Sequence, residues 1–597
     1  MCAHRKAVKT VGESSSFVSV VRVNIPSKHD LPDLWNEVRP HFPMPSPRLY
    51  QKEALSVIYH AIKNDDFDNI ILQAPTGIGK SAVAMTVQNL FKSAYLLTPT
   101  LGLTDQYLRD YPHLPEVKGR GNFDCWVRSG TAADAPCHRS SGSCPHTKRS
   151  DPCPYYEQKF NAADERMVLS NPAFMFRVTQ SRDGLFTRRD FAIIDEAHNL
   201  ESFMLDLFEV KVTERDYALA YGTSKRVEIP IHYYPHDWVE PITDLHDHAV
   251  KSLLRYERES NDDAAEKCRA LLNRTLTMLD LLKRPEQVVV SLGSDRFGKF
   301  MLAKPVRVNE FAVERLESVA EKRIFLSATI LDVDTFLTNL GLDKQRNLYV
   351  NITKSPFPAE NFKVHFANCG PLSYSRREKS IPRHINAIAA IMEKWPDKRG
   401  VVLPHTHAIR ESVVRGLIAR GLGHRIVTHG SDARGRNRSL KRFFAGEKGL
   451  VLISTYVGEG FDFKGELAEW LCICKVPFLP FRGDPQIEQR MEEDEHAWRA
   501  EHEGTPACPY EPPNRYSGNL CSSFTCEKPC QKWYRLQTAL KLVQGAGRIV
   551  RTPDDVGHLF ILDGSWERFS RHNLTFMPQW FRNALCPPPA WLKRHLN

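Results

Sequence analysis

Short apolar runs recur along the chain, each bounded by polar or Gly- and Pro-rich stretches. Early ones are Asp68–Gln73 (DNIILQ), Ala94–Leu97 and Phe191–Ile194 (FAII). Later ones are Arg323–Leu326, Gly400–Leu403, Arg425–Thr428, Leu450–Ile453 and His558–Leu562. Runs that are apolar at consecutive positions, rather than alternating, fit strands covered on both faces, as in a parallel sheet. Interleaved with helical stretches, they predict an α/β fold with two parallel-sheet units. Residues 482–534 break the pattern. They are polar, with a Pro-rich stretch at Pro509–Pro513, and predict an insertion in the second unit.

Two of the early runs lead into segments with chemistry. Asp68–Gln73 opens onto Ala74-Pro-Thr-Gly-Ile-Gly-Lys-Ser81. Thr76, Gly77 and Gly79 lie in a loop whose N–H groups can face a phosphate, at the positive end of the following helix. Lys80 can reach the β- and γ-phosphates, and the Ser81 hydroxyl can bind Mg²⁺. Phe191–Ile194 ends on Asp195-Glu196-Ala197-His198. A carboxylate at a strand's carboxyl end can hold Mg²⁺ and its neighbour can polarise an attacking water, which assigns Asp195 to the metal and Glu196 to the base. Upstream, Arg48 and Gln51 offer directional hydrogen bonds to an adenine edge. Thr98–Thr104, after Ala94–Leu97, has hydroxyls and amides suited to strand phosphates. These features imply ATP and Mg²⁺ as ligands.

In the second half, Gln544-Gly-Ala-Gly-Arg-Ile-Val-Arg551 is predicted to be helical. Gln544, Arg548 and Arg551 would then share one face, able to aim two guanidinium groups at developing γ-phosphate charge. Taken alone, that spacing reads more readily as an exposed basic face.

Composition narrows the class. The chain has 597 residues, 42% of them hydrophobic and 25% charged, which is too long for one core and too apolar for disorder. Its net charge of +10 is compatible with a polyanionic partner. No apolar run approaches the ~18–20 residues of a membrane-crossing helix, and the N-terminal stretch lacks a secretory apolar core. The expectation is an intracellular, cytoplasmic protein, nucleoid-associated if bacterial. In that reducing setting its 14 cysteines read as metal ligands or core thiols.

Four of them, Cys125, Cys137, Cys144 and Cys153, lie between the phosphate loop and Asp195. They lack the close Cys pairs of a zinc ribbon and could hold a [4Fe–4S] cluster, with zinc or a metal-free fold as alternatives. Cys508, Cys521, Cys526 and Cys530 form a second group that could bind metal or be unpaired thiols. His405 and His407 follow a strand; a core or nucleic-acid contact is the favoured reading over metal. Ser431–Arg442 is a basic run.

With these segments together, the chain resembles the superfamily 2 iron–sulfur DNA helicases, the XPD/Rad3-like and DinG-like group. The resemblance rests on APTGIGKS, the Lys118–Cys125 lead-in, DEAH, Ser327-Ala-Thr329, Ser355-Pro-Phe-Pro358, Gly458–Gly465 (GEGFDFKG), Lys475-Val-Pro-Phe478 and QGAGRIVR. It implies two RecA-like P-loop motor domains, an inserted iron–sulfur domain and a mainly helical arch-like insertion. The implied boundaries are 1–115, 163–200 and 320–345 for the first motor, 116–162 for the cysteine unit, 201–319 for the arch, with a helical stretch near Asp262–Lys283, and 346–597 for the second motor. It further implies ATP-driven unwinding, 5′→3′ on single-stranded DNA, with forked duplex DNA as substrate. The rivals are a translocase recruited to another nucleic-acid machine, such as a CRISPR-associated motor, and a non-enzymatic nucleic-acid binder with a decayed motor.

Overall fold

The apolar runs assemble into two separate seven-stranded sheets, every pairing in them parallel. The computed structural model describes residues 20–27, 31–91, 93–127, 129–135, 137, 144–180, 184–295, 298–430, 433–455, 467–480, 483–501, 529–550 and 552–596.

Strands β1 (Val20–Ile25), β2 (Asn69–Gln73), β3 (Ala94–Leu97), β4 (Met167–Ser170) and β5 (Arg189–Ile194) come first in the chain. After them come β6 (Val210–Thr213), β7 (Val288–Asp295), β8 (Gly298–Pro305), β9 (Ala320–Ser327) and β10 (Asn347–Ile352). The rest are β11 (Phe362–Phe366), β12 (Gly400–Leu403), β13 (Ile426–Thr428), β14 (Val451–Ile453), β15 (Trp470–Ile473), β16 (Gly557–Ile561) and β17 (Leu585–Cys586).

The first sheet runs β1-β10-β2-β9-β5-β3-β4 and the second β13-β14-β12-β15-β16-β11-β17. In the first, β2, β3, β4, β5 and the inner half of β9 are buried almost throughout, because helices cover both faces. Register then does the positioning. Gln73 pairs with Ser327, Ile194 with Phe325 and Leu97 with Ile194, so β2, β9, β5 and β3 end along one edge. Carboxyl-end crevices of open parallel sheets are where ligands bind.

Asn347–Ile352 corrects the expected boundary at 346. It pairs with β1 and β2, so the first sheet extends to Ile352. Arg323–Leu326 lies inside β9 of this sheet, within the expected 320–345 segment.

Between β5 and β9 the chain forms a unit with its own core around buried Trp238, Leu245, Leu271 and Met278. Helices Val239–Arg258 and Asp262–Leu282 dominate it, as the sequence predicted near 262–283. The antiparallel sheet β6-β8-β7 was not predicted. Its strands are only partly buried and contain Gly and Lys, so they present no continuous apolar run.

Candidate nucleotide site between the two sheets

The loop after β2 turns back through Gly77 (φ +87°) and Gly79 (φ +83°) before helix Lys80–Leu90 begins. Both positions need glycine twice over. Their φ values disfavour side chains, and a Cβ would lie 2.1 Å from the Phe357 ring at Gly77 and 2.6 Å from Gln51 Nε2 at Gly79. Arg48 donates through Nη1 to the Gly77 carbonyl (2.8 Å), and Gln51 through Nε2 to that of Gly79 (3.1 Å). Gln51 Oε1 accepts from the Arg48 N–H at 2.6 Å. The pair expected to meet adenine therefore braces the loop itself. Both nevertheless line a 680 Å³ cleft that also holds Thr76, Gly77, Gly79, Lys80, Ser81, Asp195 and Glu196.

At the end of β5, Asp195 is buried and accepts from Tyr107 Oη and from the Glu196 N–H, both at 2.8 Å. Burial, reinforced by the adjacent Glu196 and opposed by Lys80, pushes its carboxyl up to about 6. A divalent cation beside it would favour the carboxylate. Glu196 adopts a left-handed backbone (φ +50°), turning the chain so that its carboxylate lies 3.3 Å from His198 Nδ1. That nitrogen also lies 2.8 Å from Ser327 Oγ at the end of β9, and Ser327 Oγ accepts from the Thr329 N–H. Burial holds His198 down at about 4, hence neutral.

The second sheet closes this edge. Gln544, Gly547 and Arg548 face Pro75, Thr76, Glu196, His198 and Thr329 across a small cavity of 140 Å³. His198 Nε2, Asn199 Nδ2 and Thr329 Oγ1 are buried polar atoms there with no protein hydrogen-bond partner. Such groups can still bond a ligand.

One sequence expectation changes here. The helix carrying Gln544 spans Pro529–Ala546 and stops at the Gly545/Gly547 pair, so Arg548 sits in the following turn and not on a shared helical face. Arg551 lies outside the described residues, as do Gly458–Gly465, Cys508, Cys521 and Cys526; of Cys530 the structure gives only its place in that helix's first turn.

Comparison with known proteins bears on this edge. Residues 388–584 match the family described as helicase C-terminal domain, and 44–212 the family described as type III restriction enzyme, res subunit. Together these two segments support a superfamily 2 helicase, and the fold is that of the XPD helicases. An XPD helicase structure superposes with a TM-score of 0.58 at 15% identity, covering 91% of this chain and 100% of that one. The structure of S. tokodaii Xpd4 gives 0.54 at 15% identity, with coverage of 91% and 100%. An apo XPD structure gives 0.55 at 14% identity, with 90% and 100%. No curated protein matches the sequence. These findings support a helicase-type nucleic-acid motor ATPase, a family that implies ATP and Mg²⁺ as ligands.

Elsewhere on the helicase, Cys137, Cys144 and Cys153 are buried free thiols and Cys125 is half-buried. Cys125, Cys137 and Cys144 share one cluster with Tyr156, and Cys153 packs beside it with Tyr155. Burial pushes the Cys144 thiol up; the His146 N–H opposes this, and the other three cysteines lie close enough to add to it. Arg120 donates to Cys137 Sγ at 3.2 Å and to Tyr156 Oη at 3.1 Å. Among the described residues no group of three or more His, Cys, Asp or Glu side chains is arranged to hold a metal ion.

Several other expectations have a place in the fold. Thr98 and Thr104 bond each other at 2.7 Å and Thr100 caps helix Leu101–Asp110, so these hydroxyls serve the loop before any phosphate. His405 is half-buried just after β12 with φ +70°, and partial burial, with Lys475 and Lys541 nearby, holds it down at about 4. The basic run is helical over Ala433–Ala445. No helix among the described residues is long and apolar enough to cross a membrane. Sequence reading missed Tyr107, Ser327 and Thr329 as site residues; their signal was the position of their segments beside strand ends that converge.

Proposed function

We propose that this motor is an ATP-dependent DNA helicase that tracks 5′→3′ on single-stranded DNA and opens forked duplexes. The observation that carries the reading is the shared edge. Lys80, Ser81, Asp195 and Glu196 come from one sheet, while Gln544 and Arg548 come from the other and line a cavity with Glu196. In this reading Lys80 and Ser81 hold the β- and γ-phosphates and Mg²⁺ is bound by Ser81 and Asp195. Glu196 orients the water, and His198, neutral and tied to Ser327, keeps the carboxylate aimed. Arg548, with Arg551, neutralises charge developing on the γ-phosphate as the two sheets close. Closing and opening shift the grip along one strand. DNA and the direction of travel come from resemblance.

The cysteine unit, 116–162 in this reading, suits a [4Fe–4S] cluster chemically. Four free thiols lie in two adjoining clusters that share Tyr156, and a guanidinium donates to one sulfur, as expected around an anionic thiolate site. Cys125, Cys137, Cys144 and Cys153 would hold it. The cluster would supply cross-links between the unit's short turns and its helix Pro154–Asp164. Cys508, Cys521, Cys526 and Cys530 remain a candidate second metal group.

The test is strand separation on duplexes bearing a 5′ or a 3′ single-stranded tail, with ATP and with Lys80→Ala as control. Unwinding of the 5′-tailed duplex supports the reading. Nucleic-acid-stimulated hydrolysis without any strand separation would replace it with a translocase.

A further inference from the structure

Two helices on the second sheet's side, Pro485–Glu501 and Pro529–Ala546, pack as a hairpin against the first sheet's margin. At its centre is Arg490, whose side chain is 1% exposed and ion-pairs with Glu201. Arg490 Nη2 also donates to Asn339 Oδ1 at 2.8 Å, and the guanidinium lies 3.9 Å from the centre of the Trp533 ring. Glu201 in turn accepts from Asn339 Nδ2 (2.8 Å) and Trp533 Nε1 (3.4 Å). These four side chains close a ring of bonds around buried Arg490 and Trp533.

Its members come from four helices that matter to the site. Glu201 sits three residues past His198, in Leu200–Leu207, and Asn339 ends the helix Val333–Asn339 that follows Ser327-Ala-Thr329. Trp533 is in the helix that carries Gln544 and leads to Arg548. The same hairpin holds the far root of the inserted unit. Gln486 Nε2 donates to the Val306 carbonyl at 2.6 Å, and Arg307 bonds Asp494 at 2.5 Å. Lys532 adds an ion pair to Asp332 at 3.1 Å.

A buried ion pair is a poor source of stability, because desolvation offsets its attraction and an apolar pair of equal volume often does as well. Arg490 even leaves its Nε without a hydrogen-bond partner. What a planar fork gives that apolar packing does not is a fixed angle and register between the helices it joins.

We propose that Arg490 is a positioning residue for hydrolysis. Its ring of bonds sets the Gln544-bearing helix, and thus Arg548, against the Asp195–His198 edge, and it ties that setting to the roots of the inserted unit. Nucleic acid engaged by that unit would then reach the hydrolytic site through the hairpin. This rests on the reading that hydrolysis occurs between the two sheets and is stimulated by nucleic acid.

The test uses the full chain with Arg490→Met/Glu201→Leu, which removes both charges at similar volume, and Arg490→Lys, which keeps charge but not the fork. ATP hydrolysis is followed with and without single-stranded DNA, alongside thermal unfolding. The expected result for the double variant is an unchanged or higher Tm, KM for ATP within about twofold, and a kcat lower by roughly tenfold with DNA and by less without it. Arg490→Lys should fall between it and the native protein. Normal stimulation in the double variant, or basal and stimulated rates falling together with Tm, would overturn the proposal. If the native protein itself shows no stimulation, the underlying reading falls and takes this inference with it.

Discussion

The nucleotide edge and the cysteine unit are held together in opposite ways. At the edge, strands β2, β9, β5 and β3 fix the ends of four loops, and the loops then bond each other. Gln51 and Arg48 brace the phosphate loop, and Ser327 bridges toward His198 and Thr329. The cysteine unit has short 3₁₀ turns at Arg120–Asn122, Ala132–Asp134 and Pro145–Thr147, and two small clusters whose buried members include three of the thiols themselves. One region is preorganised by a sheet. The other is packed around its thiols in two small clusters, with no sheet beneath them among the described residues. Substitutions at the edge should therefore cost activity without stability, and those in the cysteine unit should do the reverse locally.

The largest expected effect is at Arg548. Arg548→Ala should lower stimulated ATP hydrolysis by about 10³-fold while leaving nucleotide binding and Tm nearly unchanged. Steady-state kinetics with a fluorescent ATP analogue would separate the two; a fall in affinity as large as the fall in rate would place Arg548 in ground-state binding instead. Next is Cys137→Ser. It should expose 116–162 to limited proteolysis and reduce strand separation by roughly 10- to 100-fold, on the scale of losing a metal-site partner, with basal hydrolysis within a few-fold of native. If protection and unwinding survive, the thiols are ordinary core and the contrast between the two regions disappears.

Gln51→Ala is expected to be milder. It removes a donor to the Gly79 carbonyl and an acceptor for the Arg48 N–H, which should raise KM for ATP by roughly tenfold with little change in kcat. A change in kcat alone would argue against bracing of the ground-state loop.

The smallest effect concerns acid. Burial holds His405 and His558 down at about 4, aided by Lys475 and Lys541 for the first and by His365, Lys363 and Lys398 for the second. Unfolded, each titrates near 6.5, so between about 6.5 and 4 the unfolded chain binds more protons. Stability contributed by these groups is present above pH 6.5 and lost as pH falls toward 4. His405→Gln should flatten that part of the denaturation profile; an unchanged slope would remove His405 from the account.

The contrast also explains what could be read from the sequence. Phosphate loop, acidic segment and strand runs were legible because each is local: DNIILQ followed by APTGIGKS specifies strand, turn and helix within a dozen or so residues. Sheet membership is not local. Asn347–Ile352 carries no mark that it joins β1 and β2 rather than the strands after it. The end of the 529–546 helix turned on two glycines within a motif that otherwise reads as helical. Tyr107, Ser327 and Arg490 act through partners 88, 129 and 289 positions away, which no spacing rule reaches.

The central claim is hydrolysis in the crevice between the two sheets, driven by nucleic acid. Its most direct measurement is the ATPase rate of the anaerobically purified chain with and without single-stranded DNA, beside Lys80→Ala. Stimulation by DNA in the native protein and loss of hydrolysis in the variant are expected. Hydrolysis that ignores every nucleic acid tried, or that persists in Lys80→Ala, would contradict it.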